Sequence, residues 1–410
     1  MHRELDIVVF GASGFTGQYV ALDLAKRAEQ TPGLRWAIAG RSAAKLRDVQ
    51  DFITSKLPAY AQVPMILADV HDAASLVAMA KQTAVLLNCT GPYEYFGEPV
   101  VAACVDACTH YLDITGEAHF ILDMMVKYDA RAKAANCLVV SAVGFDSVPT
   151  ETIALFSAAQ FPSAGVVATT EVLMGVDSDQ GHATTYECIV LMATPAHWAK
   201  TAAAYALVRP ASADVVSAPP LQTYYLTYDR RIGKFAFVFT GADKYLLSLS
   251  HPGVQTQVYF YVKHVGQLLA LMVFGLLLAT LGQFTAGRQL MIKYPAFFTA
   301  GAFTHKGPTE TQMAKASFTH HCIARGYKDA AQNEGRLDYE VVARLDGPEP
   351  GYVATPIFMV EAALCVVRDV AEGKLPRGVA TPGVAFKNSA LISQLQARGM
   401  VFSVTRAGPV

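Results

Sequence analysis

Charge is scarce in this chain. Asp, Glu, Lys and Arg make up 16% of its 410 residues, against about 25% in ordinary domains. The two signs nearly cancel, 33 Lys plus Arg against 34 Asp plus Glu, so no overall field draws the chain to nucleic acid. Its seven cysteines, at 89, 104, 108, 137, 188, 322 and 365, form no CxxC pair and are odd in number, which excludes a disulfide framework. Cys104 and Cys108 stand four apart, with no His or second pair at zinc-ligand spacing; we read all seven as reduced thiols, most of them in the core. His320 and His321 are adjacent and therefore face apart on a helix or a strand, which speaks against a metal site. There is no Gly-x-Ser-x-Gly elbow, no metalloprotease His pair and no phosphate-binding loop ending in Gly-Lys-Ser/Thr, so hydrolase and kinase chemistry fail. No internal repeat is visible. Met1-His2-Arg3-Glu4 runs straight into a strand and leaves no room for a cleavable signal, and the C-terminal Ala407-Gly408-Pro409-Val410 carries no targeting tripeptide. The expectation is a protein facing the cytosol.

Apolar residues, by contrast, reach 52% and the mean hydropathy is +0.28. That excludes disorder and predicts apolar surface that meets another subunit, a lipid or a greasy ligand.

The first 150 residues alternate strand and helix. Residues 5–10, Leu-Asp-Ile-Val-Val-Phe, form a short strand that ends in Gly11-Ala12-Ser13-Gly14-Phe15-Thr16-Gly17, and a helical pattern follows over 18–29. Strand, glycine turn and helix start in that order make a dinucleotide-binding motif. Gly11 permits the tight turn, Gly14 the approach of a pyrophosphate, and Gly17 close packing of helix on strand. Backbone around Gly11, Ser13, Gly14, Phe15 and Thr16, with the positive helix end, would hold the anion. The next strand, 35–39, ends in Gly40-Arg41-Ser42 and carries no carboxylate for a ribose 2′-hydroxyl. Arg41, with Ser42 beside it and Lys45 one turn on, suits a 2′-phosphate, which points to NADPH.

Further strands at 64–67, 84–87, 109–112 and 137–141 alternate with helices at 43–57, 73–81, 98–107 and 118–135. The fold class is α/β: a Rossmann-type doubly wound parallel sheet over 1–150, with a second α+β domain. Asp69 falls near the adenine, and Asn88, Thr90, Gly91 and Pro92 beside the nicotinamide half. Tyr93 and Asp146 are the catalytic candidates, one a phenol on the loop after Pro92, the other a carboxylate at a strand end. Tyr95, Asp113 and Glu117 lie in similar places, and capping of helices and turns is the competing reading for each carboxylate.

The motifs Val9-Phe10-Gly11-Ala12-Ser13-Gly14-Phe15-Thr16-Gly17, Ala39-Gly40-Arg41-Ser42, Leu87-Asn88-Cys89-Thr90-Gly91-Pro92-Tyr93 and Gly144-Phe145-Asp146-Ser147 resemble the saccharopine dehydrogenase-like oxidoreductase family, related to trans-acting enoyl reductases. Gly351-Tyr352-Val353-Ala354-Thr355-Pro356 and Thr381-Pro382-Gly383 extend the likeness to the C-terminal part, while it is weakest over 155–260. The resemblance implies an N-terminal NADP-binding domain, a following α+β domain, and a C-terminal segment, 351–410, that returns toward the first. It also implies association with lipid droplets and membranes. It does not transfer saccharopine chemistry, because fold and ancestry do not choose the reaction. His182, in Gly181-His182-Ala183-Thr184-Thr185-Tyr186, stands where related sequences carry a Gly-Thr-aromatic motif near the substrate, which puts a shared substrate in doubt.

The second domain, 151–350, shows β-rich patterns at 166–176, 221–228, 234–239, 255–262 and 336–345, with helices near 150–159 and 194–207; a further helical stretch, 355–372, follows it. Its distinctive feature is 264–287, which holds no charged residue. The uninterrupted apolar run, 268–279, is 12 residues long, short of the roughly 20 needed to span a bilayer. Arg288, Lys293 and the aromatics Tyr294, Phe297, Phe298 and Phe303 follow it, as in an interface-lying anchor. A buried core or dimer helix and a true span are the other two readings. Taken together, the expected protein is an NADPH-dependent reductase of a lipophilic enoyl, prenyl or other conjugated substrate, held on the cytosolic face of a membrane or lipid droplet, with a homodimer open. A saccharopine-type C–N dehydrogenase and a non-enzymatic lipid-surface protein that binds NADPH are the alternatives. The former would need clustered cations for several carboxylates, and of those in the second domain Arg209, Arg230, Arg231 and Lys234 are too few in obvious pockets to favour it.

Overall fold

A computed structural model describes residues 3–60, 62–210, 216–332, 336–370 and 372–410. The chain divides into two compact units, 1–146 with 351–395, and 147–350 with 396–410.

In the first unit the strands are β1 (Leu5–Phe10), β2 (Trp36–Gly40), β3 (Met65–Leu67), β4 (Thr83–Asn88), β5 (His110–Asp113) and β6 (Leu138–Val140). The second unit adds β7 (Val166–Asp177), β8 (Gly181–His182), β9 (Leu226–Asp229), β10 (Lys234–Val238), β11 (Gln255–Val262), β12 (Phe303–Thr304), β13 (Ser317–Tyr327) and β14 (Tyr339–Pro348). β15 (Gly378–Ala380) returns to the first unit and β16 (Val401–Pro409) closes the second.

The first sheet runs β15-β6-β5-β4-β1-β2-β3, every pairing parallel. Strand order reverses between β1 and β4, the place where such sheets open a ligand crevice at their carboxyl ends. Ile7, Val8 and Val9 and the whole of β2 are buried, as a sheet covered on both faces requires. Ile7, Val8, Val9 and Ile38, withdrawn from water, each stabilise by about 1.5–3 kcal/mol. Helix Thr355–Asp369 packs on helix Phe15–Glu29, where Arg27 Nε pairs with the fully buried Glu361 at 3.0 Å. That apolar helix is a core element: the stretch Pro350–Asp369 is 78% buried.

Three sequence expectations change here. The C-terminal segment expected to return toward the first domain over 351–410 does so only over 351–395, because β16 pairs with β14 in the second unit. The sheet has a seventh strand, β15, that the three-residue stretch Gly378-Val379-Ala380 gives no pattern to reveal. The expected helix at 98–107 begins earlier, at Tyr93, and runs to Asp106 with Pro99 inside it. The seven cysteines are all free thiols.

The second unit is built on a mixed sheet, β16-β14-β13-β7-β11-β10-β9, in which only β7 and β11 pair in parallel. Helices Val148–Ala158 and Ala242–Ser250 cover one face. On the opposite face Leu173, Ala236, Tyr259, Tyr261 and Ile323 cluster. The strand expected at 221–228 forms only over Leu226–Asp229, and Leu221 N instead donates to the Gln255 side chain at 2.7 Å.

β8 and β12 pair as a two-stranded ribbon. Between them in sequence lie helices Ala183–Met192 and Val265–Thr280, the latter without one buried residue.

Candidate active site

The cradle for a dinucleotide forms from backbone geometry. Gly11 sits at φ +79°, and its N–H donates to Ala39 O at 2.9 Å. A Cβ there would lie 2.5 Å from Thr90 Oγ1 and 2.9 Å from the Cys89 carbonyl carbon, so β1 and β4 can close on each other only around glycine. A Cβ on Gly17 would lie 2.2 Å from Gly11 O, which fixes how tightly helix Phe15–Glu29 seats on the turn. Gly14 caps that helix in extended conformation with no side-chain bond. Ser13 and Gly14 are exposed at the tip. The helix N-terminus is thus open to an anion where its dipole is positive.

The Thr90 hydroxyl makes the fit to a cofactor concrete. Its N–H donates to Asn88 Oδ1 at 3.0 Å, yet its buried Oγ1 has no partner among the described residues. A buried hydroxyl left unpaired beside a glycine turn calls for a ligand atom.

Arg41 follows β2, exposed and paired with no described carboxylate. Ser42 caps helix Ala43–Lys56, accepting from Lys45 N at 3.4 Å, and Lys45 itself is exposed. An unpaired guanidinium at a helix N-terminus is a ready site for a phosphate. Asp69 is half-buried and folds back on its own loop, Oδ1 accepting from His71 N at 3.0 Å. The Phe15 ring packs edge-on against Tyr352, centroids 4.8 Å apart, so its side chain builds the wall of the turn.

The strand-end residues form a connected buried network. Asn88 Nδ2 donates to Tyr111 Oη at 3.0 Å. Asp113 accepts from Thr115 N and Ala142 N, each at 3.0 Å, and from Ser141 Oγ at 2.9 Å. Burial nevertheless pushes the Asp113 carboxyl up to about 6, against the pull of these bonds. Glu117 accepts from Tyr93 N at 2.8 Å and Glu94 N at 2.7 Å, capping helix Tyr93–Asp106. Both carboxylates therefore follow the capping reading.

Tyr93 is where the site departs most from the sequence expectation. Its ring is 6% exposed and its phenol donates to Asn88 O at 2.8 Å, while burial and the nearby Asp113 push its pKa well above the ordinary value. A phenol so held steadies the Asn88 loop and is poorly set to give up a proton. Asp146 is half-buried, with Oδ2 2.6 Å from where a Cβ on Gly116 would stand, so the glycine makes room for its carboxylate. Gly91 and Pro92 are half-exposed on the loop that joins Thr90 to Tyr93.

Two residues near this site were not singled out from sequence, Tyr352 and Thr355. The Thr355 hydroxyl accepts from Phe145 N at 3.0 Å and holds the strand-end loop that leads to Asp146. Both lie in the Gly351–Pro356 motif, the signal that could have found them.

In the second unit, His182 caps helix Ala183–Met192, its Nδ1 accepting from Thr184 N at 3.2 Å. No group of His, Cys, Asp and Glu among the described residues could hold a metal. A cavity of about 550 Å³ lies against the sheet, lined by Glu171, Tyr228, Asp229, Arg231, Tyr259 and Arg325 among others. Four arginines, Arg230, Arg231, Arg325 and Arg336, line it, and two of them are held by carboxylates. Arg231 reaches Glu171 at 2.6 Å and Asp229 at 2.5 Å, and Arg325 pairs with Glu340 at 2.7 Å.

A glycine turn between β1 and helix Phe15–Glu29, a parallel sheet reversing at β1 and an unpaired Arg after β2 make an NADP-type dinucleotide-binding fold of the doubly wound class. The saccharopine dehydrogenase NADP binding domain model matches residues 7–140. The chain is 34% identical to the rat saccharopine dehydrogenase-like oxidoreductase over 428 residues, covering 100% of this chain and 99% of that one. It belongs to that family. It is also 32% identical, over 97% of its length and 98% of the relative's, to a Caenorhabditis elegans lipid droplet localized protein. A Mycobacterium bovis trans-acting enoyl reductase shares 40% identity over 149 residues, 36% of this chain and 34% of that one. Among solved structures, saccharopine dehydrogenase (L-Glu forming) from Saccharomyces cerevisiae superposes with a TM-score of 0.56 over 98% of this chain and 100% of its own, at 11% identity, which shows the shared fold.

Proposed function

We propose that the protein is an NADPH-dependent reductase that saturates an activated double bond of a lipophilic substrate, taken up from a lipid surface on which the protein sits. The observation that carries this reading is the bare helix Val265–Thr280 in a chain that also holds a dinucleotide cradle. The stretch Val265–Gln283 has a mean hydropathy of 2.1 and is 6% buried. An apolar patch of that kind marks a lipid or protein contact, and the name of the C. elegans relative and the partial likeness to an enoyl reductase point the same way.

NADPH supplies the hydride in such a reaction. The chain's own contribution is to bind and to orient. The Gly11–Gly17 turn and the Thr90 hydroxyl fix the dinucleotide, Arg41 selects the 2′-phosphate form, and Ser42 and Lys45 extend that anion site. Asn88, held by Tyr111 and Tyr93, shapes the loop Thr90–Gly91–Pro92 beside the nicotinamide half. A proton must reach the carbon opposite the one that accepts the hydride, and Asp146 is the proton-delivering residue we favour, because Tyr93 is spent on Asn88 O. The C–N dehydrogenase reading is the weaker one, because of the arginines lining the cavity in the second unit Arg231 and Arg325 are held by Glu171, Asp229 and Glu340, which leaves Arg230 and Arg336 for several substrate carboxylates.

The test is NADPH consumption by the purified protein with conjugated enoyl lipids in phospholipid vesicles and with short water-soluble enones. Turnover confined to the vesicle-borne substrates is the expected result. Turnover of the soluble enones alone would remove the lipophilic reading, and NADPH unbound even at millimolar concentration would remove the reductase itself.

A further inference from the structure

The two ends of segment 263–302 are tied down close together in sequence, one at the end of β7 and the other at the ribbon strand β8 that follows it. β11 runs parallel to β7, with Phe260 opposite Met174, and on leaving it Lys263 Nζ reaches Asp177, the last residue of β7, at 2.5 Å. The segment returns at β12, which pairs with β8, Phe303 opposite Gly181. Entry and exit are thus fastened within 177–182.

Between them the helix Val265–Thr280 shows two unlike sides. Phe274, Leu277 and Leu278, with Leu281 just beyond, pack on the buried Tyr186, Val190 and Met291. Val265, Leu269, Met272, Val273 and Leu276, spaced as one helical stripe, are between 57% and 64% exposed. A second exposed row, Leu290, Tyr294 and Phe297, follows at i, i+4, i+7, with Phe297 81% exposed. Polar groups gather beyond the helix end, where Arg288 Nη1 donates to Gly282 O at 2.9 Å and Gln283 Nε2 to Leu278 O at 3.0 Å.

We propose that helix Val265–Thr280 is a monotopic anchor lying in the plane of a lipid surface, so that residues 263 and 302 both stay on the aqueous side. This rests on the lipid-surface reading above and adds its geometry. With the turn Leu281–Gln283 the helix makes an apolar stretch of 19 residues, about 28 Å long and close to a hydrocarbon core of about 30 Å, so the fastened ends and the charges beyond it decide the geometry, not length. Plunged end-on, it would carry Gln283 and the Arg288 guanidinium into hydrocarbon, where nothing solvates the charge. A span would also require the return segment to cross with Arg288 and Lys293 in it. Laid flat, the helix puts its open stripe among the acyl chains. Lys263, Arg288 and Lys293 then stand at headgroup level, where cations meet phosphate. Folded protein takes the place of the polar face that an isolated interfacial helix would carry.

Gly275 offers the test. A Cβ there meets nothing within 4 Å, so a side chain reports on what covers the helix and not on the fold. The full chain is floated with phosphatidylcholine vesicles and with triolein droplets coated by a phosphatidylcholine monolayer. We expect binding to both, kept or tightened by Gly275→Leu. Gly275→Glu should weaken both by about tenfold or more with the unfolding temperature and NADPH affinity unchanged. Binding to vesicles but not to droplets means a bilayer-spanning helix; it overturns the monotopic geometry and leaves the lipid reading standing. Binding to neither overturns both, and a dimer that Gly275→Glu dissociates would then identify the stripe as a contact between copies. Equal binding of the Leu and Glu variants to both surfaces also overturns the proposal, since the stripe would then not touch lipid.

Discussion

Arg41→Ala isolates the choice of cofactor from the stability of the fold. The guanidinium is exposed and makes no ion pair with a described residue, so its removal leaves no buried charge behind. Surface changes of this kind stay within about 0.5 kcal/mol in stability. What the variant loses is one or two charge-assisted bonds to a 2′-phosphate at the start of helix Ala43–Lys56, whose cap, Ser42, remains. Bonds to charged groups contribute about 1.5–3 kcal/mol, which converts to a roughly 10- to 150-fold rise in the Kd for NADPH. NADH has no phosphate at that place, so its affinity should hold. Isothermal titration with both nucleotides at two salt concentrations reads the ratio directly, and the NADPH advantage of the wild type should shrink as salt rises. An equal loss for both nucleotides, or none for either, would refute the assignment of Arg41 to the 2′-phosphate.

Three further outcomes follow from the geometry. Thr90→Val should leave folding stability unchanged or slightly raised, because Oγ1 has no described partner to lose, while NADPH binding weakens by about 1 kcal/mol; paired denaturant and nucleotide titrations check it. Gly17→Ala sets a Cβ 2.2 Å from Gly11 O, so helix Phe15–Glu29 must move off the turn at a cost of about 1–3 kcal/mol, with NADPH affinity falling alongside the urea midpoint. His110 is held down to about 4 by burial and by Arg377 and Arg3, with Nδ1 accepting from Leu138 N at 2.9 Å. A folded pKa below the unfolded 6.5 means stability that is complete above that value and is lost as pH falls toward about 4. The loss amounts to about 3 kcal/mol, and His110→Gln should flatten this part of the urea-midpoint profile.

The parallel sheet was legible because each strand is a continuous apolar run that stops at glycine or a polar tip, a pattern local enough to read without neighbours. β15 was not legible: three residues carry no period, and only β6 beside it makes Gly378–Ala380 a strand. The cofactor turn could be read from Gly11, Gly14 and Gly17, whose tasks are all backbone tasks. The proton donor could not. Tyr93 and Glu117 sit where catalytic groups often sit, but whether such a group faces substrate or closes a helix depends on a partner 24 residues away, here Tyr93 N on Glu117. Asp113 is similar, its carboxylate spent on Thr115, Ala142 and Ser141. The charge-free stretch at 264–287 announced an unusual helix, and composition could not say whether it was covered. The contrast with Pro350–Asp369, apolar too but 78% buried, shows that burial is decided by what packs alongside.

Transfer of hydride to a lipid is the central claim, and isotope transfer tests it most directly. The full-length protein is incubated with lipid vesicles and NADPH deuterated at the transferable position of the nicotinamide, and the lipids are then analysed by mass spectrometry. The expected result is a lipid that gains one deuterium at a saturated carbon, dependent on the intact Gly11–Gly17 turn and reduced in the Asp146→Asn variant. Deuterium found only in water-soluble products, or NADPH bound tightly with no label leaving it for any lipid, would contradict it.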